Sequence, residues 1–164
     1  MSVIKELVPY VVIVLIVILI RTYIVTPVRV NGPSMETSLY NGDILILEKF
    51  DHSHERFDIV VVNYNNEKII KRIIGLPGET VEYRNNILYV NGKRVDEPFL
   101  SESTRDFSIS KLGYDTIPAD HYFVVGDNRD NSLDSRFVGL FSKDEIDGKA
   151  VFRVFPFNRI GNLS

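Results

Sequence analysis

Ile69-Ile70-Lys71-Arg72-Ile73-Ile74 is a β-branched run that carries two adjacent cations. Such a run predicts a β-strand, and because successive side chains point to opposite faces, both faces of this strand would be apolar. Apolar surroundings disfavour the charged form of Lys71 and lower its pKa. Arg72 keeps its proton in any protein environment, so Lys71 is the candidate general base. The ordinary interpretation of such a strand is that both cations reach solvent at its ends.

Ser34 is the candidate nucleophile. It precedes Met35 and lies shortly after a long apolar segment. A hydroxyl at its ordinary pKa is a poor nucleophile and needs a neighbouring base, which a neutral lysine supplies. Ser34 and Lys71 together predict a serine/lysine dyad.

A dense polar run occupies residues 126–136, which read Gly-Asp-Asn-Arg-Asp-Asn-Ser-Leu-Asp-Ser-Arg. If its second half is extended, Ser132, Asp134 and Arg136 fall on one face. The hydroxyl would then hold a lysine nitrogen, and the ion pair would brace the segment. A calcium loop is the alternative. It is disfavoured because Arg129 occupies a ligand position and no helical pattern flanks the run.

The N-terminal region is unbroken and apolar from Leu7 to Ile20, and it continues largely apolar beyond Arg21. No small-residue cleavage pattern follows, so the run predicts a retained transmembrane anchor over residues 7–26, after a short tail over 1–6, rather than a signal peptide. A buried globular helix is the other interpretation. It is disfavoured because the run has no polar residues at helical spacing.

The rest of the chain has the pattern of a β protein. Strands are predicted at 43–49, 57–63, 121–125 and 149–155, and Asn91-Gly92 is typical of a tight hairpin. Residues 79–117 are punctuated by turn residues and predict a smaller lobe. No long helical pattern follows the anchor.

Composition limits the remaining possibilities. The chain has 164 residues, a net charge of −3, no cysteine and no basic cluster. It therefore predicts one modest domain that binds no nucleic acid and has neither disulfides nor thiolate metal sites. The histidines, His52, His54 and His121, have no metal-ligand spacing, and no metal or cofactor is expected.

The ordered motifs resemble those of bacterial type I signal peptidases, the membrane-bound serine/lysine proteases that remove signal peptides from exported proteins. The resemblance covers nearly the whole chain. Its parts are the anchor, residues 31–35 (Asn-Gly-Pro-Ser-Met) with Leu39, Gly42-Asp43, the Lys71-Arg72 strand continuing into residues 75–79 (Gly-Leu-Pro-Gly-Glu), and residues 126–136.

The resemblance implies roles for individual residues. Ser34 would be the nucleophile and Lys71 the general base, Ser132 would orient Lys71, and the remaining support would come from Asp134, Arg136, Asp127 and Arg72, with Arg72 and Asp127 forming a structural ion pair. Gly32 stands where Gram-negative members carry a serine donor, so the oxyanion hole would depend on backbone donors such as the Ser34 N–H, as in Gram-positive members. Thr37 and Ser38 stand where many members have proline and threonine.

The resemblance also implies a fold and a setting. The expected fold is an all-β catalytic domain over 27–164, with mixed, partly antiparallel, barrel-like sheets and one N-terminal transmembrane helix. The expected location is the cell membrane, single-pass, with the catalytic domain on the extracytoplasmic face. The partners would be the lipid bilayer and secretory preproteins that have small residues before the cut, and candidate pocket residues are Met35, Leu39, Ile69 and Ile70.

Other functions are possible from the same residues. A membrane-tethered β domain could bind exported chains without cleaving them. A soluble self-cleaving repressor uses a similar serine and lysine, but it should have a DNA-binding N-terminus in place of the apolar run. A histidine-based esterase is disfavoured because no Gly-x-Ser-x-Gly elbow is present.

Overall fold

A computed structural model of the chain describes residues 2–23, 25–49, 53–100 and 103–163, without the side chains of residues 2–5, 20–23 and 25. Parts of the predictions above lie outside the described residues: Met1 in the predicted tail, Ile24 in the predicted anchor, His52 with residues 50, 51 and 164 in the predicted catalytic domain, and residues 101–102 in the predicted smaller lobe.

The described chain consists of one long helix, twelve strands and short helical turns. The helices are α1 (Ser2–Tyr23) and α2 (Ser135–Val138), with 3₁₀ turns at Ile109–Leu112, Lys143–Glu145 and Phe157–Arg159. The strands are β1 (Val25–Arg29), β2 (Ile44–Glu48), β3 (Ile59–Tyr64), β4 (Glu67–Gly75), β5 (Val81–Arg84), β6 (Ile87–Val90), β7 (Lys93–Val95), β8 (Phe107–Ser108), β9 (His121–Val125), β10 (Phe141–Ser142), β11 (Ile146–Phe155) and β12 (Gly161–Asn162).

Helix α1 contains the apolar N-terminal run. It ends at Tyr23 and β1 begins at Val25, so Val25 and Thr26 of the predicted 7–26 segment lie in a strand. Among the residues that the structure describes fully, no helix is both long and apolar enough to cross a membrane.

The larger sheet has the strand order β1-β2-β11-β3-β4-β9-β10, and β12 pairs with β11. The dyad strand β4 lies inside this sheet, with Lys71 opposite Val60 of β3 and Arg72 opposite both Ile59 of β3 and Val125 of β9. Strand β3 is buried on both faces from Ile59 to Val62. Because buried strands flank it, β4 carries its two cations into the interior rather than to solvent.

The smaller sheet has the order β7-β6-β5-β8 and lies within the region predicted as a smaller lobe. Two tight turns build it, Asn85-Asn86 between β5 and β6 and Asn91-Gly92 between β6 and β7, and all four turn residues have positive φ. That conformation matches the twist of hairpin strands. The hairpin predicted at Asn91-Gly92 is confirmed.

The prediction of mixed, barrel-like sheets is wrong. All described strand pairings are antiparallel. Strands β1 and β10 lie at opposite ends of the larger sheet, so the described strands do not close into a barrel. Parallel neighbours need long crossover connections, which are usually helical, and no long helix separates the described strands. The mostly β architecture itself is confirmed.

Three core clusters include residues of β4. Ile74 and Val125 pack with Val81 and Tyr83, which joins the two sheets. Ile73 belongs to a second cluster, and Ile70 packs with a third that includes Met35 and Leu39 from the segment after Ser34. The hydrophobic core therefore brings the serine-bearing segment onto the lysine strand.

A buried ion pair links the smaller sheet to the polar run. Arg129 Nη2 lies 2.6 Å from Glu97 Oε1, and the two side chains are only 1% and 5% exposed. The Arg129 guanidinium also donates to the hydroxyls of Tyr83 and Thr104. Removing one partner of such a pair leaves an uncompensated buried charge.

We expect Glu97→Ala to lower the free energy of unfolding by about 3–5 kcal/mol, because Arg129 would lose its counter-charge. The matched control is Asp96→Ala, whose exposed pair with Arg94 should contribute less than about 1 kcal/mol. Urea unfolding of the detergent-solubilised chain, followed by tyrosine fluorescence, measures both. Equal effects of the two substitutions would show that the buried pair does not hold the smaller sheet.

Candidate active site

Residues 34–39 form the nucleophile loop, named for the candidate nucleophile Ser34. Its backbone turns back so that the Leu39 N–H donates to the Met35 carbonyl at 2.8 Å. Met35 and Leu39 are 1% and 0% exposed, whereas Ser34 is only partly buried. Two apolar side chains therefore anchor the loop while its serine stays within reach of a substrate.

Lys71 and Ser34 are in direct contact. The Lys71 Nζ donates to Ser34 Oγ at 2.8 Å and to its neighbour's carbonyl, Ile70 O, at 2.9 Å. Lys71 is 2% exposed, and this burial lowers its pKa from 10.5 to about 8. Asp134 and Asp127 act in the opposite direction, and Arg136 adds to the lowering. The arrangement gives a lysine whose neutral form is accessible near physiological pH.

The polar run 126–136 packs against the nucleophile loop through Gly126. A Cβ added at Gly126 would lie 2.2 Å from Ser132 Oγ and 2.5 Å from the Ser34 carbonyl oxygen. The next segment binds the same carbonyl, since the Asn128 N–H donates to Ser34 O at 3.1 Å. Only glycine permits this approach, so the run fixes the backbone of Ser34.

Two buried ion pairs flank the dyad. Arg72 binds Asp127 through both Nε and Nη2, at 2.9 and 2.7 Å, and Arg136 binds Asp134 in the same two-pronged way, at 2.8 Å for each bond. Both carboxylates lie near Lys71 and favour its charged form. Pairing each with a guanidinium limits that effect.

The second half of the polar run is not extended, so that part of the expectation is wrong. Asp134 caps the short helix α2 and accepts the Arg136 N–H, which turns the chain there. The pairing of Asp134 with Arg136 nevertheless forms.

Ser132 is buried beside Gly126, and its Oγ has no hydrogen-bond partner among the described residues. The Ile70 carbonyl, rather than Ser132, is the second hydrogen-bond partner of Lys71. Orientation of Lys71 by Ser132 therefore stays a prediction.

Gly32 lies two residues before the nucleophile with φ of +90°, a conformation that disfavours any other residue. Its N–H donates to Asn41 Oδ1 at 3.2 Å. This N–H is therefore already engaged, which leaves the Ser34 N–H as the expected backbone donor to an oxyanion.

The four residues expected to line substrate pockets lie in or beside the core. Met35, Leu39 and Ile70 belong to one buried cluster, and Ile69 packs on another. Their contribution to substrate binding stays a prediction.

A cleft of about 740 Å³ opens next to the site. Its lining includes Ser38, Arg72 and Phe99 but neither dyad residue. The dyad therefore lies outside this cleft.

Sequence reasoning missed two networks that support the site. Glu97 and Arg129 form one, and Asp43 with Arg153 and Arg159 forms the other. Asp43 could have been found from the sequence, because it belongs to the Gly42-Asp43 motif. Its arginine partners lie 110 and 116 residues away, so no local pattern connects them.

We expect Lys71 to titrate with a midpoint at about pH 8, because burial disfavours its ammonium form. The measurement is NMR of lysine side chains labelled at Cε in the detergent-solubilised chain, with the Lys71→Arg spectrum assigning the resonance. A Lys71 midpoint above pH 10 would contradict the burial that the structure shows.

Comparison with known proteins places these features in a family. The chain matches the family described as "Signal peptidase, peptidase S26" over residues 3–155. It is 42% identical to Signal peptidase I of Bacillus amyloliquefaciens over 157 residues, which cover 90% of this chain and 85% of that protein. It is also 42% identical to Signal peptidase I S of Bacillus subtilis strain 168 over 158 residues, which cover 90% of this chain and 86% of that protein.

A solved structure agrees with these relatives. The crystal structure of a signal peptidase I from Enterococcus faecalis V583 superposes with a TM-score of 0.57 at 38% sequence identity, covering 59% of this chain and 96% of that chain. The resemblance inferred from the motifs is thereby confirmed, and the chain belongs to the signal peptidase family, peptidase S26, as a relative of the bacterial type I enzymes.

Proposed function

We propose that the protein is a membrane-bound serine endopeptidase that cleaves signal peptides from exported preproteins through a Ser34/Lys71 dyad. The observation that carries the proposal is the 2.8 Å contact between Ser34 Oγ and the Nζ of a lysine that is 2% exposed. Membership of the signal peptidase family supports the same activity.

The first half of the reaction forms an acyl-enzyme. Neutral Lys71 takes the Ser34 proton, and Ser34 Oγ attacks the scissile carbonyl carbon to give a tetrahedral oxyanion. As the oxyanion collapses, the C–N bond breaks and Lys71 Nζ gives its proton to the leaving amine, which is the new N-terminus of the mature protein. Lys71 is then neutral again.

The second half releases the signal peptide. Lys71 takes a proton from water, whose oxygen attacks the Ser34 ester, and the new tetrahedral oxyanion collapses when the bond to Ser34 Oγ breaks. Lys71 returns the proton to Ser34 Oγ. In both halves the Ser34 N–H is the proposed oxyanion donor, because the Gly32 N–H is engaged with Asn41.

The substrate would bind as an added strand. Strand β1 is at the edge of the larger sheet and leads into the nucleophile loop, so an extended signal peptide could pair there while its side chains reach the site. Met35, Leu39, Ile69 and Ile70 remain the proposed pocket residues.

Helix α1 is the proposed single-pass anchor, with the β domain over 27–164 on the extracytoplasmic face. Its large apolar side chains from Leu7 to Leu19 are each about half exposed, on every side of the helix. A helix that is apolar all round needs apolar surroundings, which a bilayer provides. This orientation places the β domain on the side of the membrane to which exported preproteins are delivered.

We expect Ser34→Ala and Lys71→Arg each to abolish cleavage of a preprotein while the chain stays folded, a loss of at least about 10²–10⁴-fold for removal of the base. Arg72→Lys is the matched control, because it also replaces one basic residue by the other but leaves Lys71 in place. It should retain measurable turnover. Full activity in Lys71→Arg would place the base elsewhere. Full activity in both dyad variants would refute the dyad.

We expect a chain that lacks residues 1–23 to cleave a short soluble peptide at nearly the full-length rate but a membrane-inserted preprotein at least about tenfold more slowly. The anchor confines enzyme and substrate to the same surface and so raises their effective concentration. Assays on peptide and on preprotein in liposomes measure the two rates. Equal efficiency of both chains on the liposome substrate would contradict the anchor.

A further inference from the structure

We propose that Arg153 and Arg159, held by the buried carboxylate of Asp43, are positioning residues that fix the nucleophile loop, so that the C-terminal segment aims Ser34 at Lys71. In the part of the chain that the structure describes, none of these three residues makes a hydrogen bond or ion pair with Ser34 or Lys71. Their effect would pass through Ser38, four residues after the nucleophile.

Ser38 is held from two sides by arginines of different strands. Arg72 of β4 donates from Nη2 to the Ser38 hydroxyl at 3.1 Å, and Arg153 of β11 donates from Nη1 to the Ser38 carbonyl at 3.1 Å. One contact constrains the side chain and the other the backbone. The loop is thereby fixed at its C-terminal half, while Asn128 binds its first carbonyl, that of Ser34.

Asp43 orients the two arginines of the C-terminal segment. Arg153 Nη1 lies 3.0 Å from Asp43 Oδ2 and Arg159 Nη2 lies 2.7 Å from Asp43 Oδ1, and the Asp43 side chain is 1% exposed. The same carboxylate accepts the Tyr40 N–H at 3.2 Å, directly after the loop. Asp43 therefore ties the end of the nucleophile loop to β11 and to the turn after it.

The turn after β11 completes the network. Arg153 Nε donates to the Arg159 carbonyl at 2.7 Å, so one guanidinium joins β11, the turn and the nucleophile loop. The Arg159 guanidinium also lies 4.6 Å from the centre of the Tyr40 ring. A planar guanidinium with several fixed donors can hold three segments at once, which an ammonium cannot.

The sequence of the loop explains why such a network would matter here. Residues 36–38 read Glu-Thr-Ser, without a proline to restrict the backbone. Thr37 is exposed, and its hydroxyl makes only a long contact of 3.4 Å to the Phe99 carbonyl. The contacts at Ser38 are shorter and come from buried or partly buried arginines. They supply the rigidity that the loop sequence itself lacks.

Small displacements of a nucleophile have large kinetic effects, since a shift of about 1 Å can reduce the rate about 10²-fold. Loosening Ser38 would move Ser34 Oγ relative to Lys71 Nζ without removing either group. The expected signature is a lower kcat with little change in KM, because the proposed substrate-binding strand is untouched.

The test compares Arg153→Met with Lys149→Met in the full-length enzyme, assayed on a preprotein. Lys149 lies four residues earlier on β11 and pairs with Asp58 at 2.7 Å instead of with Asp43. We expect Arg153→Met to lower kcat about 10- to 100-fold with KM changed less than about threefold, and Lys149→Met to change either by less than about twofold.

Arg153→Lys separates positioning from folding. It keeps a cation for Asp43 but cannot hold Ser38, Asp43 and the Arg159 carbonyl together, so it should unfold close to the wild-type urea midpoint and still show the loss in kcat. Arg159→Met should show a smaller loss of the same kind, because Arg159 reaches the loop only through Asp43. Wild-type kcat in Arg153→Lys, or a change confined to KM, would overturn the proposal.

This inference rests on the proposed function, and Ser34→Ala in the same assay keeps the two apart. If Ser34→Ala retains turnover, the dyad mechanism fails. If Ser34→Ala is inactive while Arg153→Met and Arg153→Lys retain wild-type kcat, the dyad stands and only the positioning role fails.

Discussion

Burial of the Lys71 ammonium is the constraint on which the rest of the site depends. A lysine in water would be almost fully protonated at neutral pH and useless as a base. Placing Lys71 on a strand between buried neighbours, at 2% exposure, lowers its pKa to about 8. At pH 7 about one molecule in ten then carries the neutral amine. The surrounding core, with β3 and β9 on either side of β4, keeps the amine buried.

The same burial explains the density of charge around the dyad. Asp127 and Asp134 are both close enough to favour the lysine cation, which opposes deprotonation of Lys71. Each carboxylate accepts two hydrogen bonds from one arginine. The arginine charge offsets the carboxylate charge and so limits how far the carboxylate raises the pKa of Lys71. Arg72 has a further contact, with Ser38, and so connects this charge balance to the loop that carries the nucleophile. Electrostatics and loop geometry are therefore parts of one network rather than separate requirements.

The sequence predicted local elements better than the arrangement of the strands. The isoleucines around Lys71 and the hairpin dipeptide Asn91-Gly92 are local signals, and the structure has a strand and a hairpin at those positions. The barrel-like, mixed sheet was wrong because strand order depends on contacts between distant segments, such as β11 pairing with both β2 and β3. The network of Asp43, Arg153 and Arg159 was not predicted for the same reason, because its members are distant in sequence. The polar run also differs locally from the prediction. Alternation alone predicts an extended segment, but Asp134 caps a short helix that begins at Ser135.

The most direct test of the central claim is the pH dependence of kcat/KM for the full-length enzyme on a preprotein, which reports the ionisation of groups in the free enzyme. If neutral Lys71 is the base, the rate should rise with pH through a single ionisation at about pH 8, since the working form is the deprotonated one. A midpoint near 6.5, the ordinary value for histidine, or a rate independent of pH between 6 and 9, would contradict the assignment of Lys71 as the base.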